Sequence, residues 1–252
     1  MPLSFYPDLT TGAYILALLG AFSLGFSKTG FPGLAMVNVL IMADVFGAKE
    51  SVGIILPLLI ACDIIVYPLF RKFASWKPVW PLMVPAILGV FIGWQLLGHI
   101  DNPTARKLIG GIILLMIALQ LFRNSRADFL THLPDSKSFL WGSGLTIGVS
   151  TTLANAAGPV YSIYALVHKL PKNDFLGIGA RFFLFMNIFK VPFNAELGIL
   201  NRESLLLDLA LLPGILLGIF VGRRLIAKIP QRLFEFLLYA FSAIAGVRLL
   251  FF

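Results

Sequence analysis

The chain has 252 residues, of which 58% are hydrophobic and 13% charged, with a mean hydropathy of +0.90 and a formal net charge of +8. Soluble domains carry about 25% charged residues, so these side chains cannot cover a water-facing surface, and the chain reads as an all-α polytopic membrane protein. The basic residues sit in short loops between apolar runs, where lipid headgroups and topology account for them, which argues against nucleic acid as a partner.

Apolar segments are expected near 12–27, 32–46, 51–70, 79–98, 104–122, 138–152, 156–167, 174–192, 204–222 and 233–251. The first follows an N-terminus with no basic region, so it is expected to be kept as a helix rather than cleaved. It runs into Gly25-Phe26-Ser27-Lys28-Thr29-Gly30-Phe31-Pro32-Gly33. Glycine and proline break a helix there, and a lysine at that depth costs roughly 2.5 kcal/mol or more on insertion scales. Such backbone survives in a membrane only where it lines a cavity or is buried in protein. A full span needs about 20 apolar residues, so the segments at 32–46 and 156–167 read as half-helices or arms of re-entrant hairpins.

With the N-terminus outside, the odd loops carry Arg71, Lys72 and Lys77, then Arg123, Arg126 and Lys137, then Lys169 and Lys172, then Arg223, Arg224, Lys228 and Arg232. The opposite loops and termini are mostly acidic, with Asp8, Asp44, Glu50, Asp101, Glu196, Glu203 and Asp208 against Lys49, Arg106, Lys107, Arg202 and Arg248. That is a positive-inside pattern with both termini outside, in the periplasm if the membrane is a bacterial inner membrane.

The chain also repeats itself. The run from Pro85 through Gly89 and Gly93 parallels the run from Pro213 through Gly218 and Gly222. Gly53, Asp63 and Pro68 match Gly177, Asn187 and Pro192 at one constant offset, and Gly25 and Ser27 match Gly148 and Ser150. We read residues 1–123 as a first transmembrane repeat, 124–137 as a cytoplasmic linker and 138–252 as a second, inverted repeat. Matched loops have opposite charge, which is the trace of two inverted-topology repeats of about five helical segments each, with broken or re-entrant helices at the centre. The Gly-x-x-x-Gly runs support close helix packing and are compatible with a homo-oligomer.

The two breaks, at 28–33 and 153–159, are the expected site. Lys28 has two readings, a snorkelling lysine at a helix end or a cation that holds an anion. In the second reading Gly30, Gly33 and the following helix start add backbone N–H donors. In the second break Asn155 and Gly158 are the candidate ligands. The hydroxyls of Ser150, Thr151 and Thr152 more often bond back to the preceding turn. Arg181 lies inside the run 174–192, either binding the anion or pairing with Asp63, read as the one intramembrane acid. Asn187, Lys190 and Asn194 share one helical face, with snorkelling as the alternative for Lys190. No catalytic or metal-binding pattern is expected: His99, His132 and His168 fall in loops, Cys62 is the only cysteine, and no Walker A or Gly-x-Ser-x-Gly run occurs. No cofactor is implied and an enzyme is not expected.

The run Ser27-Lys28-Thr29-Gly30-Phe31-Pro32-Gly33, the stretch from Ser51 to Asp63, Asn155-Ala156-Ala157-Gly158-Pro159, and the stretch from Phe182 to Pro192 resemble the sulfite exporter TauE/SafE family. The resemblance covers nearly the whole chain. It departs at Ile178, where many members are expected to carry a threonine. It implies transport of a sulfur-containing anion, such as sulfite, sulfoacetate or another organosulfonate, across a bacterial cytoplasmic membrane. The residues alone imply only a small anionic substrate, a lipid surround and, through Asp63, a proton as candidate coupling ion. A passive anion channel or a carboxylate carrier is the alternative reading.

Overall fold

Apolar runs become helices here because, in lipid, each backbone N–H and C=O must find its partner within its own segment. The computed structural model describes residues 9–28, 34–132 and 136–225, with isolated positions 243, 247, 250 and 251 beyond them. The elements are α1 (Thr11–Ser27), α2 (Leu34–Phe46), α3 (Ala48–Phe70), α4 (Trp80–His99), α5 (Asn102–Ser125), α6 (Ala127–His132), α7 (Lys137–Ala154), α8 (Gly158–Val167), α9 (Lys172–Glu196) and α10 (Arg202–Leu225). No strand occurs among the described residues. The expected segment at 233–251, and Gly30, Pro32 and Gly33 of the first break, lie outside them.

Polar residues at the segment edges set where helices begin. Thr10 caps α1 by accepting from the Ala13 N–H, Ser136 caps α7 through Phe139, and Asp101 caps α5 through Thr104. The Thr104 hydrogen bonds hold the Asp101 carboxyl below the usual aspartate range. Gly47 turns the chain between α2 and α3 at φ 93°, a backbone setting that favours glycine. Pro57, Pro68, Pro85, Pro192 and Pro213 all sit inside helices, which a membrane bundle tolerates because neighbours re-satisfy the freed carbonyls. This is why α9 continues past Pro192 to Glu196 rather than ending there.

Five helices, α3, α4, α5, α9 and α10, are long and apolar enough to cross a membrane. The chain is a multi-pass membrane protein. The 13 residues of α2 and the 10 of α8 rise about 20 and 15 Å, well short of the roughly 30 Å hydrocarbon core. One short helix, α6, forms within the expected linker at 124–137, and its last residue is His132, read as a loop residue. His99, read as a loop residue, is the last residue of α4 and holds the Gln95 carbonyl at 2.7 Å.

Two side-by-side helix pairs frame the bundle, each pressed together at glycines. In α1 and α10, a Cβ at Gly25 would meet the Ile215 carbonyl oxygen at 2.2 Å, and one at Gly218 would meet the Phe22 oxygen at 2.2 Å. In α4 and α7, Gly148 stands in the same relation to the Ala86 oxygen and Gly89 to the Leu145 oxygen. These contacts correspond position by position when the two aligned halves are exchanged. The same exchange relates Gly53, tight against the Ile199 carbonyl after α9, to Gly177, tight against Ala74 after α3. Helices α3 and α9 pack on each other between the two pairs. Ala74 therefore sits beside Gly177 in the second turn of α9, and Glu203 follows the far end of that helix, whose end at Glu196 is about 29 Å of rise from Gly177.

Replacing Gly148 by valine forces a side chain against backbone that cannot yield. Thermal unfolding in detergent should show a loss of about 1–3 kcal/mol. Gly142→Ala, inside α7 with nothing within 4 Å of its Cβ position, should not lower the midpoint and should raise it slightly, by up to about 1 kcal/mol.

Candidate functional site

Each break ends one helix with a residue that faces inward. Lys28 is the C-cap of α1, and α2 begins again at Leu34. In the second break α7 ends at Ala154, and Asn155 turns the chain in the left-handed region at φ 50°, a conformation asparagine accepts more readily than most residues. Gly158 and Pro159 then open α8, where a proline fits the first turn.

A cavity of about 590 Å³ lies between the breaks, bounded also by α3 and α9. Lys28, Asp63, Asn155, Gly158 and Asn187 all line it, among apolar groups that include Leu59, Phe175 and Phe183. A few polar groups converging in an apolar cleft is the usual form of a small-molecule site. Gly179 and Ala180 supply part of the α9 wall, whereas Ile178 is buried in the core.

At its centre is an ion pair. Lys28 Nζ lies 2.5 Å from Asp63 Oδ1, and 5.9 Å from the centre of the Phe183 ring, within cation–π reach. The other Asp63 oxygen, Oδ2, accepts from Asn187 Nδ2 at 2.7 Å. Asp63 is 5% exposed and the Lys28 side chain 20%, so the lysine is the end of the pair nearer the cavity space.

Behind the wall sits Lys190, 1% exposed. It does not snorkel to an interface. Its ammonium donates to the Thr151 carbonyl at 3.0 Å, to Thr151 Oγ1 at 3.0 Å and to Asn155 Oδ1 at 2.8 Å. Asn155 Nδ2 in turn donates to the Val52 carbonyl at 3.1 Å. The hydroxyls of Ser150 and Thr152 bond back to Ile147 and Gly148 as expected, while that of Thr151 is taken by Lys190. This use of Thr151 has no distinctive mark in the sequence.

Arg181 stands apart from the cavity and does not pair with Asp63. It donates to the Gly177 carbonyl at 3.0 Å and to the carbonyl of Arg71, the C-cap of α3, between the rings of Tyr67 and Trp76. A cation at a helix C-terminus complements the dipole, so Arg181 ties α3 to α9. Asp208, read as a loop acid, lies inside α10 at 5% exposure. Asp63 is therefore not the only buried carboxylate. Asn194 is buried on α9 and its carbonyl receives the Leu200 N–H. Among the described residues no cluster of His, Cys, Asp and Glu suits a metal ion.

A polytopic bundle whose interrupted helices flank an apolar cavity with a few converging polar groups has the form of a membrane transporter. The family model described as Sulfite exporter TauE/SafE matches residues 10–249, and the chain belongs to that family of transporters. No curated protein and no solved structure gives a significant match.

Breaking a buried ion pair from one side leaves an uncompensated charge and costs about 3 kcal/mol or more. Lys28→Met and Asp63→Leu should each lower the unfolding midpoint in detergent by that measure. The double variant should recover most of the loss.

Proposed function

We propose that the chain is a secondary transporter of a small sulfur-containing anion, such as sulfite, sulfoacetate or another organosulfonate, in a bacterial cytoplasmic membrane with both termini outside. Family membership supports the choice of sulfur, and the loop charges support the orientation. The observation that carries the reading is the ion pair of Lys28 and Asp63 on the wall of a cavity lined by both breaks. A cation already held by one carboxylate is poised to exchange it for another anion. Around the site two lysines, Lys28 and Lys190, face the single Asp63, and this favours a negatively charged guest. Asn155 and the first N–H groups of α8, at Gly158, add neutral donors.

In this reading the anion takes Lys28 from Asp63, and a proton takes the place of the lost cation on the carboxylate. Anion and proton then bind cooperatively and cross together, and the sum of their gradients sets the direction. For a monovalent anion the loaded carrier adds no net charge to the site. Asn187 retains its hold on Asp63 through the exchange.

We also propose that the halves are inverted repeats with the site at their interface. The glycine contacts that repeat when the halves are exchanged support this. So does the meeting of Asp63 with Asn187, which are aligned partners: residues related by a two-fold axis touch when they lie on it.

Purified protein in liposomes should take up sulfite or an organosulfonate with saturable kinetics and a dependence on the pH gradient. Lys28→Ala should reduce uptake to the rate of empty liposomes while the protein stays folded. Wild-type rates in that variant would sink the reading. Flux that does not saturate would favour a passive channel, and faster flux of acetate than of sulfonates would favour a carboxylate carrier.

A further inference from the structure

Lys190 is an ammonium buried in a membrane helix that touches no carboxylate. Three acceptors take its three protons, Thr151 O, Thr151 Oγ1 and Asn155 Oδ1, at 2.8–3.0 Å. Two of them belong to Thr151, in the last turn of α7 near the negative end of the helix dipole, and its carbonyl also accepts the Asn155 N–H at 3.1 Å. The third is the side-chain oxygen of the residue that terminates that helix. Lys190 therefore contributes both charge compensation to the break and an orientation to Asn155.

That orientation has a chemical consequence. An asparagine side chain has an acceptor end and a donor end, and an unrestrained amide presents either. Here the acceptor end is held by Lys190, and one hydrogen of the donor end is held by the Val52 carbonyl. The unspent hydrogen is a donor, on a residue that lines the cavity. An anion is served by a donor and repelled by an acceptor.

We propose, resting on the transport reading above, that Lys190 is a positioning residue. It locks the Asn155 amide with its N–H side available to the cavity, and so converts the uncharged break into an oxyanion site without itself touching the substrate. It lies within electrostatic reach of Lys28 and Asp63, but its hydrogen bonds are spent on the break.

The test measures binding of methanesulfonate and sulfite to purified protein by calorimetry, alongside thermal unfolding. Lys190→Met keeps the length and removes all three donors. The dissociation constant should rise about tenfold, the scale of one hydrogen bond to a charged group. Lys190→Gln restores donors without charge and should recover most of the affinity. In an Asn155→Ala background, Lys190→Met should add no further loss, because the two act as one unit. Asn155→Asp gives a variant that stays folded even if Lys190→Met does not, since its carboxylate pairs with Lys190. It offers only acceptors and should bind these anions at least tenfold more weakly.

Folded Lys190→Met with wild-type affinity would overturn the proposal, as would wild-type affinity in Asn155→Asp. Equal losses in the Gln and Met variants would assign Lys190 a direct charge role instead. Wild-type protein that binds neither anion would overturn the transport reading itself, and this proposal with it.

Discussion

A helix that stops inside a bilayer leaves carbonyls at one end and N–H groups at the next start with no water to receive them. The central arrangement follows from this constraint. At the second break the Asn155 and Ala156 N–H groups close the last turn on the Thr151 and Ser150 carbonyls, the Lys190 ammonium adds a cation at that end of the dipole, and the left-handed turn at Asn155 lets the chain restart within three residues as α8. At the first break Lys28 closes α1 and reaches Asp63 on α3. Each break is thus tied to one of the two core helices by a lysine. In one half the lysine belongs to the break, in the other to the helix. The cavity between them inherits cationic character from both and an anionic partner from only one.

The same constraint explains why the framing helices are so close. Backbone at Gly25, Gly89, Gly148 and Gly218 comes within reach of a neighbouring carbonyl where any Cβ would collide. Without a hydrophobic drive between helices in lipid, this close approach is what holds the pairs. Helices α3 and α9 run between the pairs and carry the residues that meet across the middle, Asp63 and Asn187. Arg181, between Tyr67 and Trp76 and on the C-terminal carbonyl of α3, fastens one end of that core.

Much of this is legible in the sequence, for physical reasons. Glycine, proline and a lysine inside an apolar run have few permitted explanations, so both breaks, the short arms α2 and α8, and the family membership can be read before any coordinates. Partner choice cannot. Asp63 faces one arginine and two lysines in the sequence, and only packing decides that Lys28 takes it, that Lys190 turns to the end of α7 and that Arg181 caps α3. Asp208 falls within the apolar run expected at 204–222, so grouping it with the loop acids follows its charge and overlooks its place inside α10. The role of Thr151 leaves no mark in the sequence because a hydroxyl on a helix end usually bonds to its own backbone, as Ser150 and Thr152 do.

The central claim is that the anion and a proton are linked through one carboxylate. The direct measurement is the dissociation constant of methanesulfonate, which does not itself titrate in this range, as a function of pH for the wild type and for Asp63→Asn. Linkage predicts that wild-type affinity tightens as the pH falls, by up to about tenfold per unit, the limit for one proton. It also predicts that Asp63→Asn binds with no pH dependence. A wild-type affinity that ignores pH, or a variant that follows the same slope, would contradict it.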